Sequence, residues 1–168
     1  FANNDPKVKV IKYLLKKHFE QKFNDGLEWV ITGGQLGVEQ WAAEAAIELK
    51  EEYPELKVSL MYPFSEFGSQ WNEQNRMLLS DLESKVDFCA SISKQPYQSP
   101  AQLKNFQKFM LDHTDEATLI YDSEYPGKPK YDYQAVQQYA ENHDYPVTMF
   151  GMDNLQDAAN EFQENLGN

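Results

Sequence analysis

Hydrophobic positions along the chain follow two alternating periods, one typical of helices and one typical of buried strands. Behind Asp5, a good helix-capping residue, apolar side chains recur at helical spacing as far as Phe23. A short apolar run over residues 27–32 then predicts a buried strand, which ends at Gly33 and Gly34. The same succession of helix and strand repeats through the rest of the chain.

Five strands are predicted in all, and helices are predicted between and around them. The strands are expected at residues 27–32, 56–61, 86–90, 117–121 and 146–150. The helices are expected to begin at Pro6, Val38, Gln70, Pro100 and Tyr131, with a last helix capped by Asp153. The inner face of the third helix is expected to present Trp71, Met77, Leu78 and Leu82.

Strands that alternate with helices indicate an α/β domain in which helices cover both faces of a mainly parallel sheet. We expect a single domain over residues 1–168, since no linker or repeat divides the chain. A doubly wound domain ordinarily opens with a strand, whereas the first element here is a helix. We therefore expect an N-terminal strand to be missing from this chain.

Composition and charge narrow the class of function. The 168 residues are 41% hydrophobic and 14% aromatic, which is too apolar for a disordered acidic tail. There are 27 acidic against 15 basic residues, a net charge of -12, and Arg76 is the single arginine. Binding of long nucleic acids depends on many Lys/Arg–phosphate contacts, so a nucleic-acid partner is not expected. One local pocket for a small phosphorylated ligand remains compatible with this charge.

Location and metal chemistry follow from what the sequence lacks. No apolar run approaches the roughly 20 residues that span a bilayer, and no signal peptide is recognisable, so we expect a cytoplasmic protein without membrane contact. Cys89 is alone, which excludes an internal disulfide, and it is expected to be a small core residue. His18, His113 and His143 are far apart and are expected at the surface, so no metal site is predicted.

The most informative stretch is the glycine-rich turn between the first strand and the second helix. It contains Gly33, Gly34 and Gly37, and the helix begins directly after it. Glycines let backbone N–H groups approach a ligand closely, and the unpaired N–H groups of a helix N-terminus attract phosphate. The same glycines also suit a tight turn without any ligand, and their spacing differs from the dinucleotide fingerprint. Spacing alone leaves these two interpretations equally open.

A family resemblance adds specific expectations. Residues 32–44 read TGGQLGVEQWAAE, which resembles the motif of the bacterial YpsA family within the SLOG superfamily of Rossmann-like nucleotide-sensing or nucleotide-processing proteins. The resemblance extends over nearly the whole chain and includes EEYPELK, WNE, PYQSP and GKPKY, at residues 51–57, 71–73, 96–100 and 127–131. It implies a Rossmann-like three-layer fold and a nucleotide ligand.

Carried onto this sequence, the resemblance implies that Gly34 and Gly37 line a nucleotide-phosphate site, and we include Gly33 and Gln35 of the same turn. Glu39 would accept from ribose hydroxyls or orient a water, because a carboxylate repels phosphate. The alternative for Glu39 is an acidic residue that only favours the helix dipole. Glu39 is also the one candidate for a general base.

Other candidates lie on loops at the carboxyl edge of the sheet. Asp122 is expected to hold a ribose hydroxyl, and Lys130, with Lys128, to offset phosphate charge. The alternative is an ordinary turn with solvated lysines. Trp71 is a candidate for base stacking and Asn72 for reading a base or ribose edge. Tyr62, Tyr97 and Tyr131 are further stacking candidates, although aromatic residues at such positions are more often partly buried core.

The sequence is compatible with three functions, and none of them requires a cofactor other than the nucleotide ligand itself. The first is binding of a nucleotide or an ADP-ribose-like derivative, with a sensing role in cell division or stress implied by the resemblance. The second is N-glycosidic cleavage of a nucleotide; the related hydrolases share a Pro-Gly-Gly-x-Gly-Thr-x-x-Glu motif with a supporting arginine, from which this chain departs. The third is single-strand DNA binding, as in the DprA branch. Protein partners or self-association are compatible with the first function.

Overall fold

Strands and helices alternate along the chain, which confirms the α/β fold class. The computed structural model describes residues 5–121 and 129–167. Its helices are α1 (Pro6–Asn24), α2 (Val38–Lys50), α3 (Glu73–Glu83), α4 (Pro100–Asp112), α5 (Pro129–Ala140) and α6 (Met152–Leu166). Its strands are β1 (Trp29–Thr32), β2 (Lys57–Tyr62), β3 (Phe88–Ser91), β4 (Ala117–Ile120) and β5 (Val147–Phe150).

All the strand pairs in this part of the chain are parallel, as a Rossmann-like fold requires. The strands pair in two groups, a three-stranded sheet in the order β1-β2-β3 and a two-stranded sheet of β4 and β5. Parallel neighbours need a crossover, and α2 and α3 supply it in the larger sheet. In the register of that sheet, Val30 lies opposite Val58 and Thr32 opposite Leu60.

Helix α1 lies between the two sheets and packs on both sides. The Asp5 side chain caps it by accepting from the Lys7 N–H at 2.9 Å, and Pro6 opens the helix as predicted. Its apolar stripe packs against α2, where Lys12 pairs with Glu44 at 3.0 Å. On its other side Lys17 pairs with Glu161 of α6 at 2.7 Å.

The main core lies where α1 and α2 cover the three-stranded sheet. Leu49, Leu56, Val58 and Leu60 are fully buried there. A smaller cluster joins α4 and α5 to the two-stranded sheet around Leu111, Val136 and Tyr145. The larger core forms the rigid base of the turn between β1 and α2.

Two predictions about helices need correction. Helix α3 begins at Glu73 rather than Gln70, and Met77 is 64% exposed, whereas Leu79 and Leu82 are buried. Leu79 and Leu82, three residues apart on one face of α3, pack into the main core, whereas Trp71 precedes the helix. Asp153 does not cap α6, because the N-cap is Gly151, whose N–H donates to the Asn154 side chain at 2.9 Å.

His18 and Cys89 are also placed differently from the prediction. His18 is buried on α1, with Nε2 2.9 Å from Thr118 Oγ1 and its ring edge-on to Phe150. A histidine on the apolar stripe of a helix can be buried when a hydroxyl supplies its hydrogen-bond partner. Cys89 is exposed, because β3 is an edge strand with a neighbour on one side only among the described strands. In the same described residues, no helix is long and apolar enough to cross a membrane.

Candidate functional site

The glycine-rich turn spans residues 33–37, between the end of β1 and the start of α2. Gly34 has a φ of 77° and Gly37 a φ of 96°, a backbone region that other residues rarely adopt. The turn therefore depends on glycine at two positions. It lies at the carboxyl edge of the parallel sheet, where open α/β folds bind ligands.

Side chains from the first turn of α2 hold the glycine-rich turn in place. The Gly33 N–H donates to Glu39 Oε1 at 3.0 Å, and Gln40 Nε2 donates to the Gly34 carbonyl at 3.1 Å. A Cβ at Gly33 would meet Glu39 Oε1, so a side chain at this position would displace the carboxylate from the turn. Within the turn, Gln35 Oε1 accepts from the Leu36 N–H at 2.9 Å.

The N-terminus of α2 has the geometry of an anion site. Its N-cap is Gly37, which has no side chain to accept from the first-turn amides, and the first helical bond runs from the Trp41 N–H to the Gly37 carbonyl at 3.0 Å. The positive end of the helix dipole therefore faces the turn without a capping oxygen from Gly37. Backbone groups thus supply positive potential in a chain of net charge -12.

The ring of Tyr62 packs against the glycine-rich turn at Gly34. A Cβ on Gly34 would approach Tyr62 Cε1 to 2.6 Å, so the glycine backbone lies directly on the ring. The Tyr62 hydroxyl donates to Glu83 Oε1 at 2.6 Å, and the ring stacks on Phe67 at 5.3 Å between centroids. Burial, together with the bonds to Glu83 and Cys89, raises the pKa of Tyr62 far above its usual range, so the phenol stays neutral. Although Cys89 is exposed at the surface, partial desolvation of its sulfur and the nearby Glu83 raise the pKa of the thiol, which argues against a nucleophilic thiolate.

Trp71 and Asn72 lie on the loop between β2 and α3, which also carries Phe67. Trp71 is half-buried and meets Phe67 edge-on at 5.3 Å, and it packs against the main core. Asn72 is exposed and acts as the N-cap of α3, with Oδ1 accepting from the Asn75 N–H at 2.8 Å. Both residues have structural roles in this conformation. Through Phe67 and Tyr62, Trp71 is nevertheless linked to the glycine-rich turn.

The remaining predicted site residues come from the other half of the chain. Lys130 is exposed in the first turn of α5, and among the described residues it makes no ion pair with the turn at residues 33–37. Asp122 and Lys128 lie outside the described residues. Tyr97 and Tyr131 are 51% and 70% exposed. The structure therefore brings together the residues of the turn with Glu39, and the role of Lys130 stays a prediction.

Among the described residues, no three His, Cys, Asp or Glu side chains lie close enough together to hold a metal ion.

An apolar cavity of about 270 Å³, distinct from the glycine-rich turn, lies under α4 on the face of the three-stranded sheet opposite α1 and α2. It is lined by Trp29, Met61, Phe88, Phe109 and Met110, among others. These residues include none of the predicted site residues.

Comparison with known proteins shows the family of the chain. A family model for YpsA, described as the YspA SLOG family, matches residues 1–155. The chain belongs to the YpsA family of SLOG proteins. Members named UPF0398 protein are similar along nearly all of it. The protein from Levilactobacillus brevis is 58% identical over the whole of this chain and 89% of its own length.

Two further members show the same extent of similarity. The UPF0398 protein of Latilactobacillus sakei is 54% identical over 98% of this chain and 88% of its own length. That of Lactiplantibacillus plantarum is 51% identical over the whole chain and 89% of its own length. Membership of the family therefore covers the glycine-rich turn and both sheets.

One residue of the site was not predicted from the sequence and another has a different role from the predicted one. Gln40 was not predicted, yet it is 3% exposed and bonded to the turn. Tyr62 was predicted only as a stacking residue, whereas its ring supports Gly34. A polar residue between the buried Trp41 and the glycine-rich turn is the signal that points to Gln40.

Proposed function

We propose that this protein binds a nucleotide or a nucleotide derivative such as ADP-ribose, with a phosphate at the start of α2. One observation carries the proposal: the glycine-rich turn ends in an N-cap glycine that leaves the first-turn amides uncapped by a side chain. An anion at that position gains from both the N–H groups and the helix dipole. The superfamily to which the chain belongs is consistent with a nucleotide ligand.

The surrounding residues favour a phosphate held by backbone over one held by side chains. Among the described residues, Lys130 makes no ion pair with the turn, and the single arginine, Arg76, is exposed on α3. Gly34 and Gly37 adopt positive φ, which orients their backbone in a way that a side chain would oppose. An acidic protein can bind phosphate in this way without a basic surface.

The other candidates take supporting parts in the proposal. Glu39 holds Gly33 and, in the bound state, accepts from a ribose hydroxyl, because an acid and a phosphate repel each other. The side-chain amide of Gln35 contacts the ligand. Trp71 stacks on the base, and Asn72 hydrogen-bonds to an edge of the base or ribose. Asp122 is proposed for the second ribose hydroxyl, and Lys130 for screening the phosphates.

Binding is favoured over N-glycosidic cleavage. Glu39 is the candidate general base, and in this structure its Oε1 accepts from the Gly33 N–H at 3.0 Å, a role in holding the turn that requires no reaction. The sequence departs from the Pro-Gly-Gly-x-Gly-Thr-x-x-Glu motif of the related hydrolases, and its single arginine, Arg76, is exposed on α3. We further propose that nucleotide binding regulates a protein partner or a second copy of this chain in the cytoplasm, in cell division or stress.

Calorimetry with ADP-ribose, NAD, AMP and ATP tests the binding proposal. We expect measurable heat with at least one of them, and affinity for it on the order of tenfold weaker or more in Gly37→Ala. An alanine at a φ of 96° costs roughly 1–3 kcal/mol and displaces the turn. Gly26→Ala is the matched control, because Gly26 has a φ of 107° but lies before β1, away from the site.

Two results contradict the proposal. One is the absence of heat with every nucleotide of the panel, and the other is an equal loss of affinity in the Gly26→Ala and Gly37→Ala variants. Chromatography of the same mixtures separates binding from cleavage: free base released by the wild type but not by Glu39→Gln would establish the hydrolase instead.

A further inference from the structure

Thr32, the last residue of β1, has a buried hydroxyl without a partner. The residue is 8% exposed, and its Oγ1 has no hydrogen-bond partner among the described residues. Burying a hydroxyl without a hydrogen bond is unfavourable, and native structures contain few such groups. This hydroxyl therefore requires an explanation, which the packing of β1 does not supply.

The side chain of Thr32 lies on the face of β1 that α2 covers. Side chains alternate along a strand, so Thr32 shares the face of Val30, which belongs to the core beneath α1 and α2. Its partner in register is Leu60, which is fully buried on the same face. Thr32 ends β1 and directly precedes the glycine-rich turn, so its hydroxyl lies at the edge of the core next to that turn.

We propose that the Thr32 hydroxyl donates a hydrogen bond to a phosphate oxygen of the bound nucleotide. This inference rests on the proposed function and adds a side-chain ligand to a site otherwise built from backbone. The Gly33 N–H follows Thr32 directly in the chain, so one oxyanion can accept from both groups. A hydroxyl is suited to this task in an acidic protein, because it donates to an anion without needing a charged partner.

The hydroxyl becomes accessible when the turn shifts. In this structure Oγ1 is closed off from water, and the Gly33 N–H is bonded to Glu39 Oε1 at 3.0 Å. A phosphate that takes the Gly33 N–H replaces the Glu39 carboxylate, which then turns to the ribose. Gly34 and Gly37, with their positive φ, give the turn the backbone freedom for this exchange.

The test compares Thr32→Val with Thr32→Ser and with Thr118→Val. Valine keeps the shape of threonine and removes the hydroxyl, whereas serine keeps the hydroxyl. Thr118 is the matched control, because it lies in β4 and its hydroxyl has a partner, His18 Nε2 at 2.9 Å. Each variant is measured by thermal unfolding without ligand and by calorimetry with ADP-ribose and with inorganic phosphate.

We expect opposite patterns from the two valine variants. Thr32→Val should unfold at the same temperature as the wild type or higher, because no hydrogen bond is lost, and should bind both probes on the order of tenfold more weakly. Thr32→Ser should bind like the wild type. Thr118→Val should unfold at a lower temperature and bind both probes unchanged.

Each other outcome overturns a defined part of the account. If the wild type binds and Thr32→Val binds equally well, the role of Thr32 is wrong and the proposed function stands. If Thr32→Val weakens ADP-ribose but not phosphate, the hydroxyl does not contact the phosphate. If Thr32→Val unfolds as early as Thr118→Val, the hydroxyl has a structural partner. If the wild type binds neither probe nor any nucleotide of the panel, the proposed function fails and this inference with it.

Discussion

The most buried strands of the two sheets, β2 in one and β4 and β5 in the other, are packed to different degrees. In the three-stranded region, formed by β1, β2 and β3 under α1 and α2, Val58 and Leu60 are fully buried. In the two-stranded region, formed by β4 and β5 with α4 and α5, every residue of both strands is only half-buried. The glycine-rich turn belongs to the first region, and Lys130 belongs to the second.

This difference indicates how the proposed site is built. The phosphate end is attached to a closed core, since Gly34 lies on Tyr62 and Tyr62 is fixed by Glu83. Interiors packed to this degree resist displacement, so we expect the core beneath the turn to keep its position when a ligand binds. The contribution of the two-stranded region depends instead on how α1 joins it, through His18 to Thr118 and Lys22 to Glu116.

The largest expected effect contrasts one leucine from each region. Leu60→Ala removes a fully buried side chain from the three-stranded region and should lower the free energy of unfolding by about 2–5 kcal/mol. Leu119→Ala acts on a half-buried side chain of β4 and should cost below about 2 kcal/mol, because part of it already contacts water. Urea denaturation of the two variants measures both values. Equal losses would contradict the contrast between the regions.

A smaller effect, on the melting temperature, comes from the contact between His18 of α1 and Thr118 of β4, and it depends on pH. Burial lowers the pKa of His18, and Lys22 lowers it further while Glu116 opposes the change. The folded protein therefore binds this proton less readily than the unfolded chain does. The stability that neutral His18 contributes is complete above the unfolded pKa of about 6.5 and is lost as the pH falls toward the folded pKa. We expect the melting temperature to fall between pH 7.5 and pH 5.5.

His18→Gln isolates this contribution, because glutamine can still bond to Thr118 and does not titrate. The decrease in melting temperature between the two pH values should be smaller in this variant than in the wild type. Carboxylates that titrate in the same range affect both proteins equally and cancel in the comparison. An identical decrease in both would show that the contact between the regions does not depend on His18.

The order and type of the elements could be predicted because each has a local cause. Asp5 and Pro6 determine the start of α1, and Gln102 accepts from the Ser99 N–H at 3.1 Å, as the predicted capping box before α4 requires. The five apolar runs all became strands, with ends shifted by one or two residues. The glycine-rich turn was predicted for the same reason, since its glycines have a direct conformational role.

The rest depended on contacts between residues far apart in the sequence. His18 is buried because Thr118, 100 residues later, supplies a partner. Tyr62 supports Gly34, and Cys89 is exposed at a sheet edge, only because of the order in which the strands pair. Periodicity predicts which face of an element is apolar, but it does not predict which neighbour will cover it.

Backbone amide NMR during titration with ADP-ribose tests the central claim most directly. The claim is that the ligand binds through the turn of the three-stranded region. It predicts that the largest shifts occur at the amides of residues 33–39, and that Gly26 and the strands of the two-stranded region change little. The claim would be contradicted by unchanged turn amides at saturating ligand, or by the largest shifts at Trp29 and Phe88, which line the apolar cavity under α4.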